Sequence, residues 1–120
     1  MRRRVLVVED DTATRTLLGA GLSTDFEVAD AANGREAIER IEQSAFDSVV
    51  LDLMMPVMDG FGVLHFLEAN RPELLHRVVV VTGAADHLTS LLPVARLAAV
   101  LTKPCGIAEL SSAVTRCCET

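Results

Sequence analysis

Five polar side chains stand where apolar runs stop. Glu9 and Asp10 follow Val5-Leu6-Val7-Val8, Asp52 follows Val49-Val50-Leu51, Thr82 follows Val78-Val79-Val80-Val81, and Lys103 comes just after Ala99-Val100-Leu101. Three carboxylates, a hydroxyl and an ammonium are the groups that hold a hard cation and handle a phosphoryl group. Burying an unpaired carboxylate is costly, so an Asp delivered by a run such as Val49-Val50-Leu51 calls for a cation, a hydrogen-bond network or a chemical task. Were the three carboxylates to meet, each close pair would cost about 4 kcal/mol at about 4 Å and an effective dielectric of about 20. A divalent cation offsets that repulsion, and Mg2+ in particular takes one or two carboxylates, keeps several waters and accepts phosphate oxygens. Asp52 then becomes a candidate nucleophile toward phosphorus, giving an aspartyl-phosphate. Lys103 would neutralise the phosphoryl oxygens, and the Thr82 hydroxyl could donate to one of them.

Whether these residues meet depends on the elements that carry them. Val5 to Val8 is a short, continuous, β-branched run, the pattern of a strand covered on both faces. Thr12 is the expected cap of a first helix, with Leu17, Leu18 and Leu22 on its inner side. Phe26-Glu27-Val28, with Asp30 just beyond, reads as a second strand at a sheet edge. After the turn signal Asn33-Gly34, the residues Ala37, Ile38, Ile41 and Ala45 recur at helical spacing. Ser48 to Leu51 is the third strand. Pro56 and Asp59-Gly60 then turn the chain into a helix from about Gly60 to Asn70, which Pro72 stops.

Val78 to Val81 is the fourth strand. A fourth helix is expected from near Asp86, with Leu88, Leu91, Leu92 and Ala95 on one face. Pro93 should leave it short, kinked or divided, because Pro inside a helix costs about 3 kcal/mol. Ala99 to Leu101 is a brief last strand, and Ile107, Leu110, Val114 and Cys117 mark the inner face of a final helix.

Strands alternating with helices through short connections predict a doubly wound α/β fold, a flavodoxin-like (βα)5 three-layer sandwich with a five-stranded parallel sheet. Strands one, three and four are wholly apolar, whereas two and five are shorter or charged, so the expected order is 2-1-3-4-5. Ligands of such sheets bind outside the carboxyl ends of the strands where the order reverses, here between strands one and three. All five polar residues fall on that rim, although they span some ninety positions of sequence.

The remaining composition narrows the function. The chain has 120 residues, enough for one core. The core must be aliphatic, because half of the residues are hydrophobic but only 3% are aromatic. A net charge of -6 opposes binding to nucleic acid or an anionic membrane, which both reward neutralisation of phosphate. Three Cys without a C-x-x-C spacing, and His65, His76 and His87 apart from them, argue against zinc or a disulfide framework and for a reducing compartment. Met1-Arg2-Arg3-Arg4 resembles the head of an export signal, but the apolar run after it breaks at once on Glu9-Asp10-Asp11. No apolar stretch approaches the roughly 18 residues of a membrane helix, and a cytoplasmic location is expected.

Val8-Glu9-Asp10, the run from Asp52-Leu53-Met54-Met55-Pro56 to Asp59-Gly60, Val81-Thr82-Gly83 and Leu101-Thr102-Lys103-Pro104 together resemble the marks of the response-regulator receiver domain of two-component signalling. The likeness covers essentially the whole chain, residues 1–120, as a single receiver domain. It implies that Asp52 is the phosphoacceptor, Asp10 a direct Mg2+ ligand, Glu9 a ligand through water, and the Met54 backbone carbonyl a further ligand. It implies that Thr82 is the switch hydroxyl, that Lys103 pairs with the phosphoryl group, and that the Lys103-Pro104 peptide is cis. The donor would be a histidine kinase or histidine phosphotransfer protein, the output partner is unspecified, and the chain would be a monomer or weak dimer. Its only catalysis would be its own phosphorylation and slow dephosphorylation.

The sequence departs from the family pattern in places. Val100 stands where an aromatic usually lies three residues before the lysine, and Arg96-Leu97-Ala98-Ala99 replaces the usual Gly-Ala-Asp turn. Both suggest an alternative, an interaction module of the same fold that does not depend on phosphorylation. Met54 and Ala84 occupy the two positions that tune hydrolysis in the family. Neither side chain can orient an attacking water, so slow loss of phosphate is expected. A phosphatase with an aspartate nucleophile would need a second acid at Met54, and a flavodoxin-like carrier would need a first loop free of Glu9-Asp10-Asp11.

Other residues have simpler readings. Asp11 is expected to be solvated or to cap a helix, and Asp59-Gly60 to form a turn and helix start. Met54, Met55 and Met58 read as core and loop filler. Arg2 to Arg4 form a solvated entrance to the first strand, the His residues lie at the surface, and Cys117-Cys118 packs the last helix.

Overall fold

The computed structural model describes residues 2–53, 55, 58–83 and 92–119. In chain order these form β1 (Arg4–Val8), α1 (Thr12–Leu22), β2 (Glu27–Ala31), α2 (Gly34–Gln43), β3 (Ser48–Asp52), α3 (Gly60–Asn70), α4 (Pro72–Leu75), β4 (Val78–Thr82), a 3-10 turn (Val94–Arg96), β5 (Ala99–Thr102) and α5 (Ile107–Cys118). The strands make one sheet in the order β2-β1-β3-β4-β5, and every neighbouring pair is parallel. That is the doubly wound, flavodoxin-like arrangement expected from the apolar runs, with the reversal between β1 and β3.

Because successive side chains of a strand point to opposite faces, the sheet carries two apolar layers. Leu6, Val8, Leu51, Val78 and Val80 pack with Ile41, Leu64 and Leu67 on the α2 and α3 side. Val5, Val7, Val50, Val79 and Val81 pack with Leu22, Leu110 and Val114 on the α1 and α5 side. The alternation carries to the strand ends and, in β1, one residue beyond. Glu9 and Asp52 continue the phase that faces α1 and α5, and Thr82 continues the other phase. Register sets the height of each group: Val8 pairs with Leu51 and Asp52 with Val81, so Glu9, one step past Val8, is level with Asp52.

Several local expectations are corrected. The cap of α1 is Asp11, whose Oδ2 accepts from the Thr14 amide at 2.8 Å and the Thr14 hydroxyl at 2.6 Å; Thr12 is the first helical residue. Leu18 and Leu22 are buried, but Leu17 is 65% exposed, because at 3.6 residues per turn it sits about 100° from Leu18, off the buried stripe. Ala45 is also exposed, since α2 ends at Gln43. Pro72 stops α3 and then opens α4, as Pro does in a first helical turn. The expected fourth helix, from near Asp86 through Ala95, falls up to Leu91 outside the described residues; Leu92, just after, is buried. Beyond it Pro93 leads into the Val94–Arg96 turn, which holds Ala95.

Other local readings hold. Asn33 caps α2 by accepting from the Glu36 amide, and Asp59 caps α3 by accepting from the Gly62 amide. Met55 is buried in the core and Met58 packs beside it, whereas Met54 is outside the described residues. Cys117 and Cys118 are buried under α5. His65 and His76 are exposed, and His87 is outside the described residues. The arginines of the entrance to β1 are engaged rather than simply solvated: Arg2 donates to the Ser23 carbonyl, Arg3 faces Asp47, and Arg4 pairs with Glu27 and lies over the Phe46 ring.

Candidate functional site

Parallel strands all deliver their last residues to one edge, and the carboxyl ends of β1, β3, β4 and β5 lie side by side there. Glu9, Asp10 and Asp52 each bring a carboxylate oxygen to within 4.8 Å of the other two. Two of the three are nearly closed off, Glu9 at 2% and Asp52 at 5% exposure, while Asp10 faces solvent. Thr82 is 2% exposed at the end of β4. The Lys103 amide donates to the Thr82 carbonyl at 2.9 Å, which ties the lysine loop to the strand beside it. The Lys103-Pro104 peptide is cis.

The ammonium of Lys103 is shared. It lies 3.0 Å from Glu9 Oε1 and 3.4 Å from Asp52 Oδ2. The second oxygen of Glu9 accepts from the Asp11 amide at 3.1 Å. Burial pushes the Glu9 carboxyl up, but the Asp11 amide and the Lys103 ammonium outweigh it, so Glu9 is held below its ordinary 4.5. Burial pulls Lys103 down, but hydrogen bonding to Glu9 and the charge of Asp52 outweigh it and hold the ammonium above its ordinary 10.5. Glu9 and Lys103 thus stabilise each other's charged forms.

Those donors suit a hard divalent ion. Three convergent carboxylates, one open to water, match the preference of Mg2+ for a few oxygen ligands and retained waters. A single ammonium cannot neutralise all three, so net negative charge remains on the rim. Met54, expected to lend its backbone carbonyl, is outside the described residues.

Arg15 is a residue that inspection of the sequence passed over. Its guanidinium donates to the Glu9 carbonyl at 2.8 Å and pairs with Asp30 at 3.7 Å, which pins the β1–α1 turn to β2. Its position one turn after the Asp11 cap was the available clue, because that turn of α1 must pass over the end of β1. Gly34 and Gly60, read as turn residues, also crowd the backbone near the site.

The fold and the acidic pocket define a flavodoxin-like α/β module with a candidate divalent-cation site at its switch point. The comparisons are more specific: the family model for the response regulator receiver domain matches residues 5–115, and the chain belongs to that family. It is 36% identical over 118 residues to the protein-glutamate methylesterase/protein-glutamine glutaminase of group 2 operon of Rhodospirillum centenum, covering 93% of this chain and 29% of that protein. It is 37% identical over 112 residues to the transcriptional regulatory protein PrrA of Mycobacterium tuberculosis, covering 92% and 48%. Among solved structures, a CheY-like response regulator receiver domain protein from Methanospirillum hungatei superposes with a TM-score of 0.89 at 26% identity, over 99% of this chain and 95% of that one. The Thermotoga maritima response regulator TrrA in complex with Mg(2+)-BeF superposes with a TM-score of 0.85 at 27% identity, over 96% and 98%. The chain spans less than half the length of the curated relatives named here. No helix among the described residues is long and apolar enough to cross a membrane.

Proposed function

We propose that this chain is a phosphoacceptor in a two-component phosphorelay, taking a phosphoryl group on Asp52 from a histidine kinase or histidine phosphotransfer protein and changing its affinity for a partner as a result. The observation that carries the reading is the meeting of Glu9, Asp10 and Asp52 within 4.8 Å, with Lys103 bridging two of them.

Asp10 and Asp52 would hold Mg2+ directly, Glu9 would hold it through water, and the Met54 carbonyl would complete the protein ligands. Bound there, the ion would draw charge from the phosphoryl oxygens and from the crowded carboxylates. Asp52 is held at the end of a central strand, so its oxygen is aimed with little freedom left to lose, and that favours attack on phosphorus. The phosphorus–nitrogen bond of the donor histidine breaks as the phosphorus–oxygen bond to Asp52 forms. The imidazole leaves with the electron pair. Lys103 exchanges part of its contact with the carboxylates for the arriving phosphoryl oxygens. Thr82, on the neighbouring strand, donates its hydroxyl to the same group.

A groove of about 420 Å³ beside Lys103 is lined by Thr14, Leu17, Val81 and Pro104. Exposed Leu17 on its rim supports the reading, because an apolar seat next to the nucleophile suits the surface of a protein donor. Incubation with acetyl phosphate and Mg2+, followed by intact mass measurement, tests the proposal. The expected result is a gain of one phosphoryl group, absent in Asp52→Asn.

The second reading is the interaction module that does not depend on phosphorylation. Val100 favours it, since it packs against the inner layer where the family carries an aromatic. No mass gain in the wild-type chain would select that reading.

A further inference from the structure

We propose, building on the phosphoacceptor reading, that Arg15 is a positioning residue for the cation, because it fixes the peptide from which Asp10 starts. Asp10 is the exposed member of the carboxylate cluster. It lies two residues beyond β1, whose pairing with β3 stops at Val8, so something other than the sheet must direct its carboxylate toward Asp52.

Three successive peptides of that turn are held. In the first, the Glu9 amide donates to the Ala31 carbonyl at 3.1 Å, at the end of β2. The second joins the Glu9 carbonyl to the Asp10 amide, and Arg15 Nη1 donates to that carbonyl at 2.8 Å. The third joins the Asp10 carbonyl to the Asp11 amide, which donates to Glu9 Oε2 at 3.1 Å. A peptide is planar, so Asp10 has only the two dihedrals between the second and third planes. Holding both planes sets both dihedrals. The aim of the Asp10 carboxylate therefore depends on a hydrogen bond that Asp10 does not make.

Arg15 is itself anchored. Its side chain is 17% exposed, and its Nε faces Asp30 Oδ2 at 3.7 Å. One rigid fork thus turns one N–H edge to β2 and another to the β1 turn, a geometry that the point charge of a lysine reproduces less well. Charge alone gives no reason for a guanidinium here, since a cation beside a cation site opposes the second cation. Asp30, which stands outside the carboxylate cluster, offsets that charge. What Arg15 contributes to the turn is then the hydrogen bond. Linkage makes the effect reciprocal: a divalent ion that favours the held turn also favours the bond from Arg15 to the Glu9 carbonyl.

Charge and position predict opposite signs, which makes the test sharp. Mg2+ affinity is measured by calorimetry on the full chain for the wild type, Arg15→Met, Arg15→Lys and Arg40→Met. Loss of charge alone would tighten Mg2+ binding in Arg15→Met. Loss of position weakens it, by about tenfold, the lower end for outer partners of metal ligands, and Arg15→Lys should recover part of that loss. Arg40 is the control: it borders the same groove as Arg15 and Asp30 but pairs with Glu36, so Arg40→Met should not weaken binding. A second arm needs no variant and stands even if Arg15→Met does not fold. The Arg15 guanidinium protons of the wild type are followed by NMR, and their exchange with water is expected to slow when Mg2+ is added. Mg2+ binding by folded Arg15→Met at wild-type strength or tighter, equal weakening in Arg40→Met, no recovery in Arg15→Lys, or Arg15 exchange indifferent to Mg2+ overturns the positioning role and leaves the phosphoacceptor reading in place. A wild-type chain that takes up no Mg2+ overturns that reading, and the role of Arg15 with it.

Discussion

The two ends of the sheet both bury polar groups, yet they do so in opposite ways. At the amino end, Ser48 donates to the Arg77 carbonyl at 2.8 Å and the Cys117 thiol lies 3.4 Å from the Ser48 hydroxyl. Beside them the Arg4 amide donates to Asp47 at 2.8 Å, and the Asp47 amide donates back to the Arg4 carbonyl at 2.8 Å. These are neutral groups, or charges matched to a fixed partner. At the carboxyl end three carboxylates crowd one ammonium. The same strands support both arrangements, so strand burial does not set the difference. A polar group that is satisfied within the fold stabilises it, whereas a cluster that needs one more cation stores a preference for a ligand.

The largest expected effect that sharpens this contrast is at Asp10. Asp10→Asn should weaken Mg2+ binding by at least about tenfold while raising the metal-free melting temperature, because it removes a like charge from the cluster. Calorimetry and thermal unfolding in chelator measure the two. A fall in both would break the comparison, since Asp10 would then be acting as a structural partner. Next comes Lys103. Lys103→Met leaves the buried Glu9 carboxyl without its ammonium partner, and after discounting for the one-third exposure of the lysine the loss should be about 1–2 kcal/mol. Saturating Mg2+ should recover most of it in urea titrations, as the divalent ion takes over the neutralising role.

Ser48→Ala is the counterpart at the other end. It removes one hydrogen bond to the Arg77 carbonyl, which keeps the Val49 amide at 3.2 Å, and should cost about 1 kcal/mol, with acetyl-phosphate labelling proceeding at the wild-type rate. A labelling defect in Ser48→Ala would blur the distinction between the ends.

The pH dependence separates them further. Glu9 is lowered in the fold, so the unfolded chain binds more protons as pH falls below 4.5. Its contribution is complete above that value and is lost as pH drops through the folded one. Lys103 is raised, so its contribution is complete below 10.5 and is lost as pH climbs through the higher folded value. The Ser48 loss should stay flat across the acid range, because a hydroxyl and a carbonyl do not titrate there. Urea midpoints of the wild type and Ser48→Ala from pH 3 to 7, in chelator, test the Glu9 and Ser48 statements. The smallest effect concerns thiols. Burial pushes Cys118 up to about 11, so alkylation at pH 8 should label half-buried Cys105 first and reach Cys118 only on unfolding, as read by mass.

Much of this molecule could be read before its coordinates. Continuous runs such as Val78 to Val81 can only be covered strands, and the charge on Glu27 and Asp30 puts β2 at an edge. The strand order follows from those two facts, and parallel strands then force Glu9, Asp52, Thr82 and Lys103 to one rim. The misreadings are of one kind. Asp11 and Thr12 are both good caps, and only the backbone chooses between them. Leu17 lies at the margin of a stripe that the neighbouring sheet did not quite cover. Pro72 can close one helix and open the next, and the periodicity of Gly60 to Asn70 registers only the first event.

The residue types and their positions at strand ends decided the class of fold and the chemistry available to it, because apolar periodicity and carboxylate charge are local properties of the chain. The choice of neighbours was made only in three dimensions. That Lys103 answers to Glu9 as well as Asp52, that Arg15 reaches back to the Glu9 carbonyl, and that the Gly34 amide meets the Met58 carbonyl depend on register and on the closeness of two backbones. Those are settled when the layers pack, since no short stretch of sequence encodes the distance between two others.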